Sequence, residues 1–129
     1  MIVVDTNVIG YFFLRGEENG AVLRLRAADS EWVAPKLWLD EFVNMLCTQE
    51  RVKLLKEEET AQILVDALTL MGGASYTIAP AQILNVARRT GCSGYDSQYI
   101  ALAEKLNVPL YTFDKKILKS CPDIAFRPE

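Results

Sequence analysis

The chain has 129 residues, 50% hydrophobic and 24% charged, with a formal net charge of −3 and no histidine. Its length suits one domain over residues 1–129, able to bury a core without disulfide staples. No apolar run nears the roughly 18 residues of a membrane span. The missing histidine excludes Ser-His-Asp and Cys-His catalysis, His-ligated zinc and histidine-based cleavage of RNA. The acidic balance excludes a broad attraction to nucleic acid, so a phosphate substrate would need a local basic patch or a bound cation. Cys47, Cys92 and Cys121 are widely spaced with no C-x-x-C, and are expected to be reduced structural thiols. The apolar run starting at residue 2 leaves no room for a basic leader, so a cytoplasmic location is expected.

The first ten residues, MIVVDTNVIG, organise the rest. Ile2, Val3 and Val4 read as a strand buried on both faces, as in a parallel sheet. Asp5 ends it, at the strand edge where ligands bind in open α/β sheets. Asp5, Thr6 and Asn7 also offer helix-capping oxygens, so capping alone is an alternative role for Asp5. A helix follows over 7–15, stopped by Gly16, and another over 18–28 with Ala21, Val22, Leu25 and Ala28 inside. Its consecutive Tyr11, Phe12, Phe13 and Leu14 cannot all face one core, which leaves part of the band for a partner.

Trp32 and Val33 make a strand closed by Pro35. The helix over 36–50 carries Leu39, Phe42, Val43 and Leu46 as its apolar stripe. Glu41 points away from that stripe with Asn44 on its side, either solvated or functional, and Asp40 competes for the same role. A helix over 57–71 opens on Glu57, Glu58 and Glu59, which suit the positive helix end. SYTIA, residues 75–79, reads as a strand, and Pro80 opens a helix to Thr90 closed by Gly91.

The helix over 94–106 has Tyr99, Ile100, Ala103 and Leu106 inside. Asp96 falls within about 30° of that stripe's centre, where a charge is unusual unless paired or ligated. The competing reading is a capping box with Ser93. VPLYT, residues 108–112, is a strand followed by Asp114 and a helix from Lys115, which repeats the Asp5 arrangement. A last strand spans 124–126. The order β-α-α-β-α-α-β-α-α-β-α-β predicts a three-layer α/β/α sandwich with a mainly parallel central sheet.

Asp5 and Asp114 are thus expected at strand ends, Asp96 at a helix start, and Glu41 as a fourth acid. Two carboxylates about 4 Å apart repel by roughly 4 kcal/mol at an effective dielectric near 20. Protons or a cation must neutralise such a cluster, and an all-oxygen site suits Mg2+ or Mn2+.

Four segments, M-I-V-V-D-T-N-V, D-E-F-V-N, Y-D-S-Q-Y-I-A-L-A-E and L-Y-T-F-D-K-K, together resemble a PIN domain, most like the VapC-type toxin ribonucleases. The resemblance covers essentially the whole chain. It implies a Mg2+-dependent endoribonuclease, the toxin of a type II toxin–antitoxin pair, with Asp5, Glu41, Asp96 and Asp114 as its acidic positions. Asp5 and Asp96 would be the main metal ligands, Asp114 would bind directly or through water, and Glu41 would complete the site or orient water. Thr6 and Thr112 match hydroxyl positions flanking the site, and Asn44 shares the face of Glu41. A homodimer and a small antitoxin filling the active-site groove are also implied. Many members carry a further acid near the last aspartate. Lys115 and Lys116 stand there in this chain, which leaves one or two ions open. Lys36, Arg88, Arg89, Lys115, Lys116 and Lys119 are candidate phosphate contacts if they share a rim.

Three other readings compete. A response-regulator receiver needs an acidic pair after strand one and an aspartate after strand three, where Thr6, Asn7 and Ala79 stand. A D-x-D phosphatase fails at Asn7. A non-catalytic or housekeeping RNA-binding module of the same fold keeps all four acids.

Overall fold

A computed structural model describes residues 1–129. The elements run β1 Ile2–Val4, α1 Thr6–Phe13, α2 Asn19–Ala28, β2 Trp32–Pro35, α3 Leu37–Arg51, α4 Glu57–Met71, β3 Ser75–Tyr76, α5 Pro80–Thr90, α6 Gly94–Leu106, β4 Leu110–Tyr111, α7 Lys115–Ser120 and β5 Ala125–Phe126. That is the expected order. The five strands form one sheet in the order β3-β2-β1-β4-β5, and every pairing is parallel.

The central strand explains the architecture. Every residue of β1 and β2 is buried. Side chains alternate faces along a strand, so both faces of the sheet are covered by helices. Val3 and Val4 are fully enclosed, each stabilising the fold by about 1.5–3 kcal/mol through apolar burial. From β1 the chain builds outward through β2 and β3, then returns to the other side of β1 for β4 and β5. The order therefore reverses between β1 and β4, and the crevice beyond their carboxyl ends is the ligand site of such sheets. Asp5 and Asp114 follow those two strands.

Several boundaries differ from the sequence expectation. β3 and β4 are two residues each, where 75–79 and 108–112 were expected. Each stops where its neighbour turns into a helix: β2 gives way to α3 after Lys36 N–H bonds Tyr76, and β1 gives way to α1 after Asp5 N–H bonds Tyr111. Helix α1 ends at Phe13, before Gly16, because the Asn19 amide donates to the carbonyls of Tyr11 and Phe12 at 2.8 and 3.3 Å. Those side-chain bonds satisfy groups that a further turn would have used.

The apolar faces also shift. In α3 the buried positions are Trp38, Phe42 and Leu46, while Val43 is exposed. Trp38 starts the stripe because its indole donates to Ser75 Oγ at 3.0 Å and its ring leans on Phe42. In α2, Val22 and Leu25 are buried and Ala28 is exposed. The aromatics of α1 are used within the chain: Tyr11 meets Phe113 edge-on, Phe12 meets Trp32, and Phe13 meets Phe42. α1 approaches α3 closely at Gly10, where a Cβ would stand 2.5 Å from Met45 Sδ. This contact sets the spacing between Thr6 and Glu41. No helix is long and apolar enough to cross a membrane.

Candidate active site

Asp5 is the N-cap of α1 and is 7% exposed. Its Oδ1 accepts the Thr6 N–H at 2.7 Å, and its Oδ2 accepts the Thr112 hydroxyl at 2.8 Å. Burial pushes its carboxyl up to about 6, against those two hydrogen bonds and with help from the charges of Glu41 and Asp96. Capping and siting are thus both true of Asp5: one oxygen closes the helix while the carboxyl lines the cleft.

Thr112 is fully buried. It donates to Asp5, and its hydroxyl accepts the Asp114 N–H at 3.0 Å. Asp114 in turn caps α7 by accepting the Ile117 N–H at 2.9 Å.

Asp96 sits in the first turn of α6, half-buried. Ser93 Oγ accepts its N–H at 3.0 Å. The helix is capped by Ser93, but the return bond that would complete a capping box does not form. The Asp96 carboxyl faces the cleft instead. Burial raises its pKa first, then the charges of Asp114 and Glu41, opposed by the Ser93 side-chain hydrogen bond and then by Lys116.

Glu41 reaches the same cleft from α3. Its Oε1 accepts two hydroxyls, Thr6 at 3.0 Å and Tyr99 at 2.6 Å, and the two hydroxyls also touch each other. Tyr99 is wholly buried, and burial followed by the Glu41 carboxylate pushes its phenol well above the ordinary range. Asp40 is exposed and lies outside the cleft.

The four acids line one cleft of about 390 Å³, with Thr6, Asn7, Asn44, Met45, Thr48 and Gln49 completing the wall. No lysine or arginine lines it. Asn44 is part of that wall but bonds none of the acids, its carbonyl accepting the Thr48 hydroxyl. Of the basic residues, Arg89 is paired with Glu104 at 2.6 Å, beside a different cavity between α5 and α6. Lys116 is the one whose charge acts on Asp96.

Sequence reasoning missed three contributors. Tyr99 reads as core, yet a buried tyrosine needs a partner for its hydroxyl, and Glu41 is that partner. Thr48 lies seven residues after Glu41 and therefore on its face, so the count that placed Asn44 extends to it. Asn7 reads only as a capping residue.

An all-oxygen acidic cleft with no internal cation suits a hard divalent ion by donor chemistry. In this arrangement no group of three or more acidic or thiol side chains is gathered closely enough to hold one.

An all-parallel α/β fold with carboxylates lining the crevice at its topological switch point defines an α/β protein with an acidic cleft. The PIN domain family model matches residues 2–121, and the chain belongs to that family. Ribonuclease VapC3 of Pyrobaculum aerophilum is 27% identical over 127 residues, covering 96% of this chain and 97% of that protein. The crystal structure of PAE2754 from Pyrobaculum aerophilum superposes with a TM-score of 0.75 at 18% identity, covering 96% of this chain and 81% of that one. FitAcB from Neisseria gonorrhoeae gives 0.73 at 21% identity, covering 99% and 98%. Those two likenesses show the fold.

Proposed function

We propose that residues 1–129 form a single metal-dependent endoribonuclease domain, the toxin of a type II pair, which hydrolyses RNA phosphodiester bonds in the acidic cleft. The observation that carries this reading is the convergence of Asp5, Glu41, Asp96 and Asp114 on a cleft with no basic side chain in its wall. Membership of the PIN family and the likeness to a protein named a ribonuclease support it.

Asp5, Asp96 and Asp114 would hold Mg2+ or Mn2+ after drawing in from the wider spacing they have in this structure. Burial first, and then the neighbouring carboxylates, raise the carboxyls of Asp5 and Asp96, and such an ion would favour their charged forms. A bound divalent ion supplies a more acidic water and charge stabilisation at the phosphate. Glu41 would complete the site or orient the water through Oε2, since both hydroxyl bonds fall on Oε1. Tyr99 and Thr6 fix the orientation of that carboxylate. Asp5 and Asp114 are locked together by Thr112, so their separation is set before substrate arrives.

A small antitoxin protein is the expected inhibitor, and self-association into a homodimer belongs to the same reading. The dimer rests on the resemblance and on the α1 band, whose Tyr11, Phe12, Phe13 and Leu14 stay partly exposed beside their ring contacts within the chain.

Purified protein incubated with a mixed single-stranded RNA pool tests the proposal. Cleavage should stop in EDTA and return with Mn2+. Cleavage unchanged by EDTA would reject the metal, and RNA binding without cleavage in any divalent ion would favour the non-catalytic module.

A further inference from the structure

We propose that Tyr95 is a base-stacking platform that seats one nucleotide of single-stranded RNA at the mouth of the acidic cleft; this rests on the ribonuclease reading above. Tyr95 is 65% exposed. The chain's other aromatics are mostly drawn into ring pairs or buried, but the Tyr95 ring takes part in no aromatic or cation–π contact. It occupies the second position of α6, immediately before Asp96.

Helical geometry places it over the site. Tyr95 and Tyr99 are four residues apart and share a face. Tyr99 is the inner member, with its hydroxyl on Glu41 at 2.6 Å. Tyr95 therefore lies one turn nearer the helix start, about 6 Å further along the axis. Side chains lean toward the N-terminus of a helix, so the exposed ring stands at the start of α6, next to Asp96 in sequence and outside the cleft wall itself.

The chemistry of the cleft calls for such a contact. Its wall holds four carboxylates and no basic side chain, so apart from a bound cation it offers a polynucleotide no electrostatic attraction. Further affinity comes from the rim. Lys116 supplies one charge near Asp96, and an exposed aromatic face supplies the other common source of single-strand affinity. Every base has a π-face, so the platform tolerates any sequence, but it needs an unstacked base and so selects single strands over duplex.

Two variants of the full chain test this. Binding is read by fluorescence anisotropy of a labelled mixed-sequence single-stranded RNA in Mg2+, with Asp96→Asn added to every protein to prevent cleavage. Tyr95→Ala should weaken binding by about 5- to 100-fold and Tyr95→Phe should leave it unchanged. With Asp96 intact, Tyr95→Ala should raise KM while kcat stays level. Tyr95→Trp should show emission quenched by single-stranded RNA but not by duplex, above the signal of buried Trp32 and Trp38. Alanine-variant binding equal to that of the unaltered tyrosine, or equal quenching by both RNAs, overturns the stacking role alone. With Asp96 and Tyr95 both intact, absence of Mn2+-dependent cleavage of single-stranded RNA overturns the ribonuclease reading, and the stacking role with it.

Discussion

Thr112 donates its hydroxyl to Oδ2 of Asp5 at 2.8 Å across 107 residues of sequence. The Thr112 hydroxyl oxygen also accepts the Asp114 N–H, so one buried hydroxyl ties together the acids that follow β1 and β4. Thr112→Val keeps the shape and leaves both partners unsatisfied. We expect a loss of about 1–3 kcal/mol of stability, measured by urea titration, and a fall in cleavage rate. Thr112→Ser should recover most of both. A valine variant as stable and active as the original protein would remove Thr112 from the site.

Tyr99 and Thr6 bind the same oxygen of Glu41. Tyr99→Phe removes a buried hydroxyl and keeps the ring. Misplacing a reacting group by about 1 Å can slow catalysis by about 100-fold. The variant should therefore lose at least about tenfold in kcat, with RNA affinity unchanged. A parallel drop in affinity and kcat, with an altered circular dichroism spectrum, would indicate a purely structural tyrosine.

Ser97 is fully buried, and its hydroxyl has no hydrogen-bond partner. An unpaired buried hydroxyl opposes folding, and alanine is the better helix former. Ser97→Ala should leave the melting temperature unchanged or raise it. A clear decrease would mean that this hydroxyl has a partner in solution.

The metal-free protein should be most stable in mild acid. The Asp5 carboxyl lies at about 6 in the fold against a usual value of 3.8, chiefly through burial. A raised carboxyl means the native state binds more protons than the unfolded chain between those values. The penalty from Asp5 is therefore absent below about pH 4 and complete above about pH 6, reaching on the order of 3 kcal/mol. Melts in EDTA should show stability falling as pH rises through that window, and Mg2+ should flatten the slope at its upper end. Stability in EDTA that rises from pH 4 to 6 would contradict this.

Much of the site was legible before any coordinates, for a simple reason. Asp5 and Asp114 follow buried apolar strands, and strand ends in a parallel sheet converge on one edge. Asp96 was readable from its angle on α6, because an inward charge needs an explanation. Glu41 was ambiguous beside Asp40, and only the packing of α1 on α3 at Gly10 decides which acid faces the cleft. Tyr99 was hidden because its ring is ordinary core and only its hydroxyl reaches Glu41. The lengths of β3 and β4 depend on where the neighbouring strands end, which their own sequences do not encode. Trp32, Phe42 and Phe113 meet the α1 aromatics from distant positions, yet Tyr11, Phe12, Phe13 and Leu14 each remain partly exposed, as a band too wide for one core requires.

The central claim is that the cleft carboxylates repel until a cation neutralises them. Asp96→Asn tests it most directly, through thermal melts of both proteins near neutral pH in EDTA and in Mg2+. The account predicts a higher melting temperature for the variant in EDTA, because a raised, mutually repelling carboxylate has been removed. It also predicts a smaller response to Mg2+ than in the original protein, where saturation at 100 times Kd adds roughly 2.7 kcal/mol. If Asp96→Asn instead melts lower in EDTA and responds to Mg2+ as fully as the original, Asp96 serves only the start of α6, and the acidic cleft is not a metal site.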